Sequence, residues 1–207
     1  MPKGSPELTA IRKQEIIDAC ERLYKTNSFV DITIKQISSE TSFTRTSIYN
    51  YFHTKEEIFL ALYEREYILW NKQLLEILNN NKKLSKKELA DNIASSLAKR
   101  EQLLKLLSMN NYDMEANSRI EFLTSFKVAY GESMDNMRKI LNKFCVKMTS
   151  DDIERFIYAF FPFMFGIYPY SYVTDKQKKA MSNAKTKFIK HSIYDLTYEF
   201  VLKNLTV

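Results

Sequence analysis

Three glycines and four prolines in 207 residues leave this chain little with which to make tight turns in series. Hairpin turns draw on glycine for positive φ and on proline for a pre-set φ. A sandwich or barrel of short strands needs such a turn roughly every 8–12 residues. The scarcity therefore predicts an all-α protein whose helices are separated by polar caps. With 45% of its residues hydrophobic, the chain can bury a core in one large domain or in a small domain joined to a larger one.

Capping signatures divide the sequence. From Pro6 to about Thr26, the apolar residues Ile16, Ala19, Cys20, Leu23 and Tyr24 recur at helical spacing among charged ones, predicting a first helix. After the connector TNSFVDI, Thr33 followed three residues later by Gln36 forms a capping box that opens a second helix, which the polar run Ser38–Ser42 ends. Thr44 can cap a third short helix, TRTSIYNYF, and Thr54 with Glu57 forms another box opening a long fourth helix to about Asn79. Ser85–Glu88 opens a helix to about Leu107, and a periodic stretch runs from Arg119 to about Met148. Ser150 with Asp151 and Asp152 starts the helix that carries FIYAFFPFMFGIYPY. A lysine-rich connector from Ser171 to about Lys185 leads to a last helix with Phe188, Ile189, Ile193, Leu196, Phe200 and Val201 as its apolar positions.

Several function classes find no support. No nucleophile stands beside a base in a motif, no residues have metal-ligand spacing, and no glycine-rich loop could cradle a phosphate. The expectation is a non-enzyme without cofactor or metal. Cys20 and Cys145 lie far apart with no CxxC or histidine companion, as free thiols in a reducing cytoplasm do. The N-terminus MPKGSPELTA lacks an apolar h-region, and the apolar run Phe156–Tyr170 is interrupted by Pro162, Gly166 and Pro169 and falls short of the about 20 residues of a membrane span. A cytoplasmic protein without membrane contact is expected. Lys and Arg exceed Asp and Glu by 31 to 25, for a net charge of +6, which permits contact with a polyanion without requiring it.

The segment Glu40–Phe52, ETSFTRTSIYNYF, is more particular. Two short helices joined by a polar turn and packed on a preceding helix describe a helix-turn-helix unit. On its second helix Ile48 and Phe52, at i and i+4, would face inward, while Arg45, Thr46, Tyr49 and Asn50 would face outward together. An arginine can fork onto guanine, an asparagine onto adenine, and a threonine can offer a hydroxyl and a methyl. A tyrosine hydroxyl can hold a phosphate. A polar, merely solvated helix surface has the same residue types.

The run Ile16–Ile58 resembles the DNA-binding region of the TetR (tetracycline-repressor) family of bacterial transcription regulators. The matching pieces are IIDACERLY at Ile16–Tyr24, F..ITIKQIS at Phe29–Ser38, FTRTSIYNYF at Phe43–Phe52 and KEEI at Lys55–Ile58. The chain departs from the family pattern where glycine usually follows the first helix (here Asn27 or Ser28), where alanine and glycine usually form the turn (here Thr41 and Ser42), and where a histidine is common before the last phenylalanine (here Tyr51). The resemblance implies that Thr33, Lys35, Thr44, Tyr49 and Lys55 touch phosphates of double-stranded DNA. It further implies that Arg45, Thr46 and Asn50 read bases and that Ser47 and Tyr51 serve either purpose. It places a helix-turn-helix domain at residues 1–55 and a larger helical ligand-binding and dimerisation domain at residues 56–207.

One such helix reads only a few base pairs, so two copies on a palindromic operator are expected, with recognition helices about 34–36 Å apart. The resemblance implies that the last two helices pair with those of a second copy, which would use Phe156, Phe160, Phe163, Met164, Ile167, Ile193, Leu196 and Phe200. It also implies a small-molecule effector that releases the operator. Tyr67, Trp70, Leu97, Met109, Tyr112, Phe122, Phe126, Tyr158 and Phe161 are candidates for the wall of an apolar or aromatic ligand's pocket, although aromatic residues at helical spacing also fit an ordinary core. A ligand-responsive repressor is the leading expectation. The alternatives are an activator without a ligand and a helical module that meets protein in place of DNA.

Overall fold

The computed structural model describes residues 5–109 and 111–205. Among them are eleven α-helices and no strand, the all-α class that the shortage of turn residues predicts. The helices are α1 (Pro6–Thr26), α2 (Ile34–Ser39), α3 (Arg45–Ile48), α4 (Lys55–Asn80), α5 (Lys86–Ala98), α6 (Glu101–Leu107), α7 (Asn111–Ala116), α8 (Ile120–Phe144), α9 (Ser150–Ser171), α10 (Asp175–Asn183) and α11 (Ile193–Asn204). None is long and apolar enough to cross a membrane.

Caps set most of these boundaries. Thr33 and Ser85 form reciprocal boxes with Gln36 and Glu88 at the starts of α2 and α5. The start of α9 differs from expectation by one residue, because Thr149 is the cap and Asp152 closes the box. The C-terminal end differs more. The lysine-rich connector holds α10, capped by Thr174 and Gln177, and the last helix begins only at Ile193, where Ser192 and Asp195 form a box. Phe188 and Ile189, expected on that helix, precede it and are 37% and 61% exposed.

The chain divides into two compact units. One comprises Met1–Arg65 with Asn110–Ala129, the other Glu66–Met109 with Tyr130–Val207, so α4 and α8 each contribute to both. The first unit thus continues past residue 55, and side chains explain why. The Arg119 guanidinium binds the Glu57 carboxylate, the Thr54 hydroxyl donates to the Asn117 carbonyl at 2.9 Å, and the Phe52 and Phe122 rings lie 5.3 Å apart. Its core gathers Ile16, Cys20, Tyr24, Ile37, Ile48, Phe52 and Phe59, each at most 2% exposed. Burying side chains of this size stabilises by about 1.5–3 kcal/mol apiece. In the second unit α5 packs on α11, and α9 packs on α6 and α11.

Candidate nucleic-acid interface

The Thr44 hydroxyl accepts the Ser47 amide at 3.3 Å and starts α3 as predicted. The α-helix proper is one turn, after which amide bonds from Asn50 to Ser47 and from Phe52 to Ile48 carry the chain on in turn geometry. Ile48 and Phe52 have no exposed surface. Arg45, Thr46, Tyr49 and Asn50 are all exposed. Arg45 Nη2 donates to the Tyr49 hydroxyl at 3.1 Å, and its guanidinium carbon lies 5.8 Å from the Tyr49 ring centre. A guanidinium has five N–H donors, so one contact orients Arg45 without exhausting it.

Helix α1 clamps the turn between α2 and α3. The Ser42 amide donates to Glu15 Oε1 at 2.6 Å, and Arg22 Nη2 donates to the Glu40 carbonyl at 2.7 Å. Arg12 donates to the Tyr51 hydroxyl at 3.1 Å and lies over the Phe43 ring. No non-glycine residue of this turn has a positive φ, since among the described residues only Lys185 does. Thr41 and Ser42 therefore replace alanine and glycine without strain. Asn27 likewise needs no left-handed backbone. It sits at φ −112°, ψ 162°, its own amide and side chain both donating to the Leu23 carbonyl. Glu15, Arg22 and Arg12, which hold this turn and Tyr51, are not singled out by the sequence, where the recurrence of Glu15 and Arg22 seven residues apart on one helix is the available signal.

The expected DNA-contacting residues separate into three groups. Thr33, Lys35, Thr44, Arg45, Thr46, Tyr49 and Asn50 are exposed, and Ser47 is partly so. Lys55 is part-buried, its ammonium donating to the Phe29 carbonyl at 2.9 Å and lying 4.1 Å from that ring's centre. Tyr51 is only 5% exposed, which sets it apart from the exposed ridge: its ring faces the head's interior and its hydroxyl is taken by Arg12. Beside the segment that follows α3, Glu57 is 1% exposed and accepts from the His53 amide, the Arg119 amide, and Arg119 Nε and Nη2 at 2.7–3.1 Å. Arg119 Nη2 also donates to the Tyr51 carbonyl at 3.2 Å. Burial pushes the Glu57 carboxyl up, but the Arg119 side chain and the two amides outweigh it and hold the group below its ordinary value. Glu57 was expected to close a capping box on Thr54. Its carboxylate takes the His53 amide instead, leaving the Thr54 hydroxyl to accept the Glu57 amide.

A family model described as bacterial regulatory proteins, tetR family, matches residues 16–62, the stretch that contains the turn and the Arg45–Asn50 ridge. A second, described as the tetracyclin repressor-like C-terminal domain, matches residues 64–198. The chain belongs to the TetR family. It is thus a regulator of transcription with a helix-turn-helix head. Solved structures share the fold of this TetR-family protein at low identity. The fatty acid degradation regulator FadR of Bacillus halodurans aligns with a TM-score of 0.60 at 13% identity over 98% of this chain and 96% of its own. The transcriptional regulator FadR of Bacillus subtilis, in complex with stearoyl-CoA, gives 0.61 at 15% over 93% and 97%. The MbdR regulator of Azoarcus sp. CIB gives 0.54 at 15% over 93% and 96%. No curated protein matches the sequence.

The remaining candidates of this TetR-family chain fall in different places. Tyr67, Trp70, Leu97 and Phe161 lie in the core of the second unit, where Trp70 donates to the Ser96 hydroxyl at 3.1 Å and sits 6.0 Å from the Phe161 ring. Phe122 and Phe126 belong to the first unit, against Phe52 and Tyr63. Met109 is half-buried, whereas Tyr112 and Tyr158 are 84% and 66% exposed. Of the eight dimer candidates, Phe156, Phe160, Met164, Ile167 and Ile193 are buried within their own chain, so they support the α9–α11 pair from inside. Phe163, Leu196 and Phe200 keep partial exposure, with the Phe163 and Phe200 rings stacked at 4.1 Å. Among the described residues no group of three His, Cys, Asp or Glu side chains could hold a metal ion.

Proposed function

We propose that this TetR-family protein represses transcription by binding a palindromic operator as a homodimer, and that a small apolar or aromatic effector releases it. The observation that carries the reading is the four exposed residues Arg45, Thr46, Tyr49 and Asn50 on a segment whose other face, Ile48 and Phe52, is closed to solvent. A short ridge of planar and hydroxyl groups, held from behind by α1, suits entry into a major groove.

In this reading Arg45 forks onto guanine, Asn50 onto adenine, and Thr46 meets a thymine methyl or a base edge. Thr33, Lys35, Thr44, Tyr49 and Lys55 hold phosphates, with Ser47 serving either purpose, while Tyr51 positions the segment through Arg12. The part-exposed Phe163, Leu196 and Phe200 face the second copy. The aromatic cluster around Trp70 supports an apolar effector, as does the stearoyl-CoA complex of the Bacillus subtilis relative. Such a ligand acts by favouring a head spacing that the operator disfavours, and the reciprocal weakening of ligand by DNA follows from linkage.

Mobility-shift titration tests the assignment. Arg45→Ala should cost about 1–3 kcal/mol on the preferred duplex and little on a scrambled one. Equal affinities of Arg45→Ala and Asn50→Ala with the parent protein on the preferred duplex would overturn it.

A further inference from the structure

The start of α5 with Leu84 before it, and the end of α8 with the residues that follow it, border an open hollow of about 210 Å³, closed on one side by Leu205 just beyond α11. Leu84, Leu89, Phe144 and Leu205 make it apolar. The cations that line it are Lys86 and Lys147, and no acidic residue does. Neither ammonium has an ion-pair partner among the described residues. The Glu88 carboxylate, two residues from Lys86, is engaged by the Ser85 amide at 2.7 Å. None of the aromatic residues around Trp70 takes part.

We propose that this cavity is a binding site for a small amphiphilic anion, a carboxylate carrying a short hydrocarbon tail. An apolar hollow with two unpaired ammonium groups in its wall rejects a cation, and for a neutral apolar molecule the charges offer nothing. A carboxylate satisfies them while its tail covers the leucines and the phenylalanine. A hollow of this size takes a short tail and leaves the head at the lysines. The proposal is separate from operator recognition, and it is tested without DNA.

Cys145 provides a built-in reporter, because it is half-buried in the wall of the same cavity. Cys20, the other thiol, has no exposed surface. Alkylation of the full-length protein by iodoacetamide, a neutral reagent, is followed at both cysteines by mass spectrometry in the presence of octanoate, octanol or octylammonium. Octanoate is expected to slow Cys145 alkylation at least fivefold and saturably, the other two far less. Lys86→Glu with Lys147→Glu should abolish the protection while Cys20 stays unlabelled, which reports that the variant is folded. Lys147→Glu alone, at an exposed position, should weaken it. Absence of protection by octanoate, equal protection by octanol or octylammonium, or full protection in the folded double variant would each overturn the proposal.

Discussion

Glu57 is nearly closed to solvent, and its charge survives there because an arginine and two backbone amides meet it. Removing one partner of such an arrangement leaves a buried charge short of donors, so Arg119→Ala should lower unfolding free energy by roughly 1.5–3 kcal/mol in urea titrations at pH 7. The sign of the pH dependence follows from the lowered carboxyl. The stability that Glu57 contributes is fully present above its ordinary value of 4.5 and is lost as pH falls through the lower folded-state value. Glu57→Gln should therefore show a shallower loss below pH 4.5 than the parent. An identical acid limb in the two proteins would contradict the assignment. Lys55 and Lys35 make a second pair of contrasts. Lys55 is tied to Phe29 and Lys35 is exposed. Lys35→Ala should leave the melting temperature unchanged, weaken binding to every duplex by a similar factor and reduce the salt slope by about 1. Lys55→Ala should lower the melting temperature as well, as differential scanning fluorimetry would reveal.

Among the elements, α1 matters most to the head, because Glu15 and Arg22 reach the turn that a glycine usually makes in the family. In Glu15→Ala the Ser42 amide loses its acceptor, so its hydrogen exchange should quicken and operator affinity should fall while the exchange of α11 amides is unchanged. Unchanged protection of Ser42 would remove the clamp from the account. Local chemistry made many helices legible in the sequence: Thr33 with Gln36 and Ser85 with Glu88 are caps written in two residues three apart. The same chemistry is present at Thr174 with Gln177 and at Ser192 with Asp195, yet lysine content there suggested a solvated connector, and Phe188 and Ile189 extended the apolar pattern outside the helix. Periodicity reports a face only when the flanking caps are read with it. The ridge from Arg45 to Asn50 was legible because a 3.6-residue repeat alone separates it from Ile48 and Phe52. The inward turn of Tyr51 was not, since it depends on Arg12 from a helix thirty-nine residues away.

For the whole molecule, α4 and α8 each contribute to both compact units, and the proposed effector binds near Trp70 in the second. Binding there should shift or quench Trp70 emission, because the indole donates to Ser96 and lies among aromatic rings. Release of operator without any change in that emission would remove Trp70 from the effector site. Dimer formation has its own test: Phe163→Glu changes a part-exposed ring on α9 and should give monomers in sedimentation, whereas an intact dimer would move the interface elsewhere. The proposed contacts with a second copy are the least legible part of the sequence, since α9 is apolar on more than one side and five of its and α11's candidates fill their own core. The central claim, that paired heads present the Arg45–Asn50 ridge to two major grooves, is tested most directly by selecting bound duplexes from a random pool with the purified protein. The account predicts an inverted repeat whose half-site centres lie one helical turn, about 34–36 Å, or a multiple of it apart, and a loss of preference at one position in each half-site for Arg45→Ala. A pool that yields no enriched sequence, or an Arg45→Ala protein that selects the same site, would contradict it.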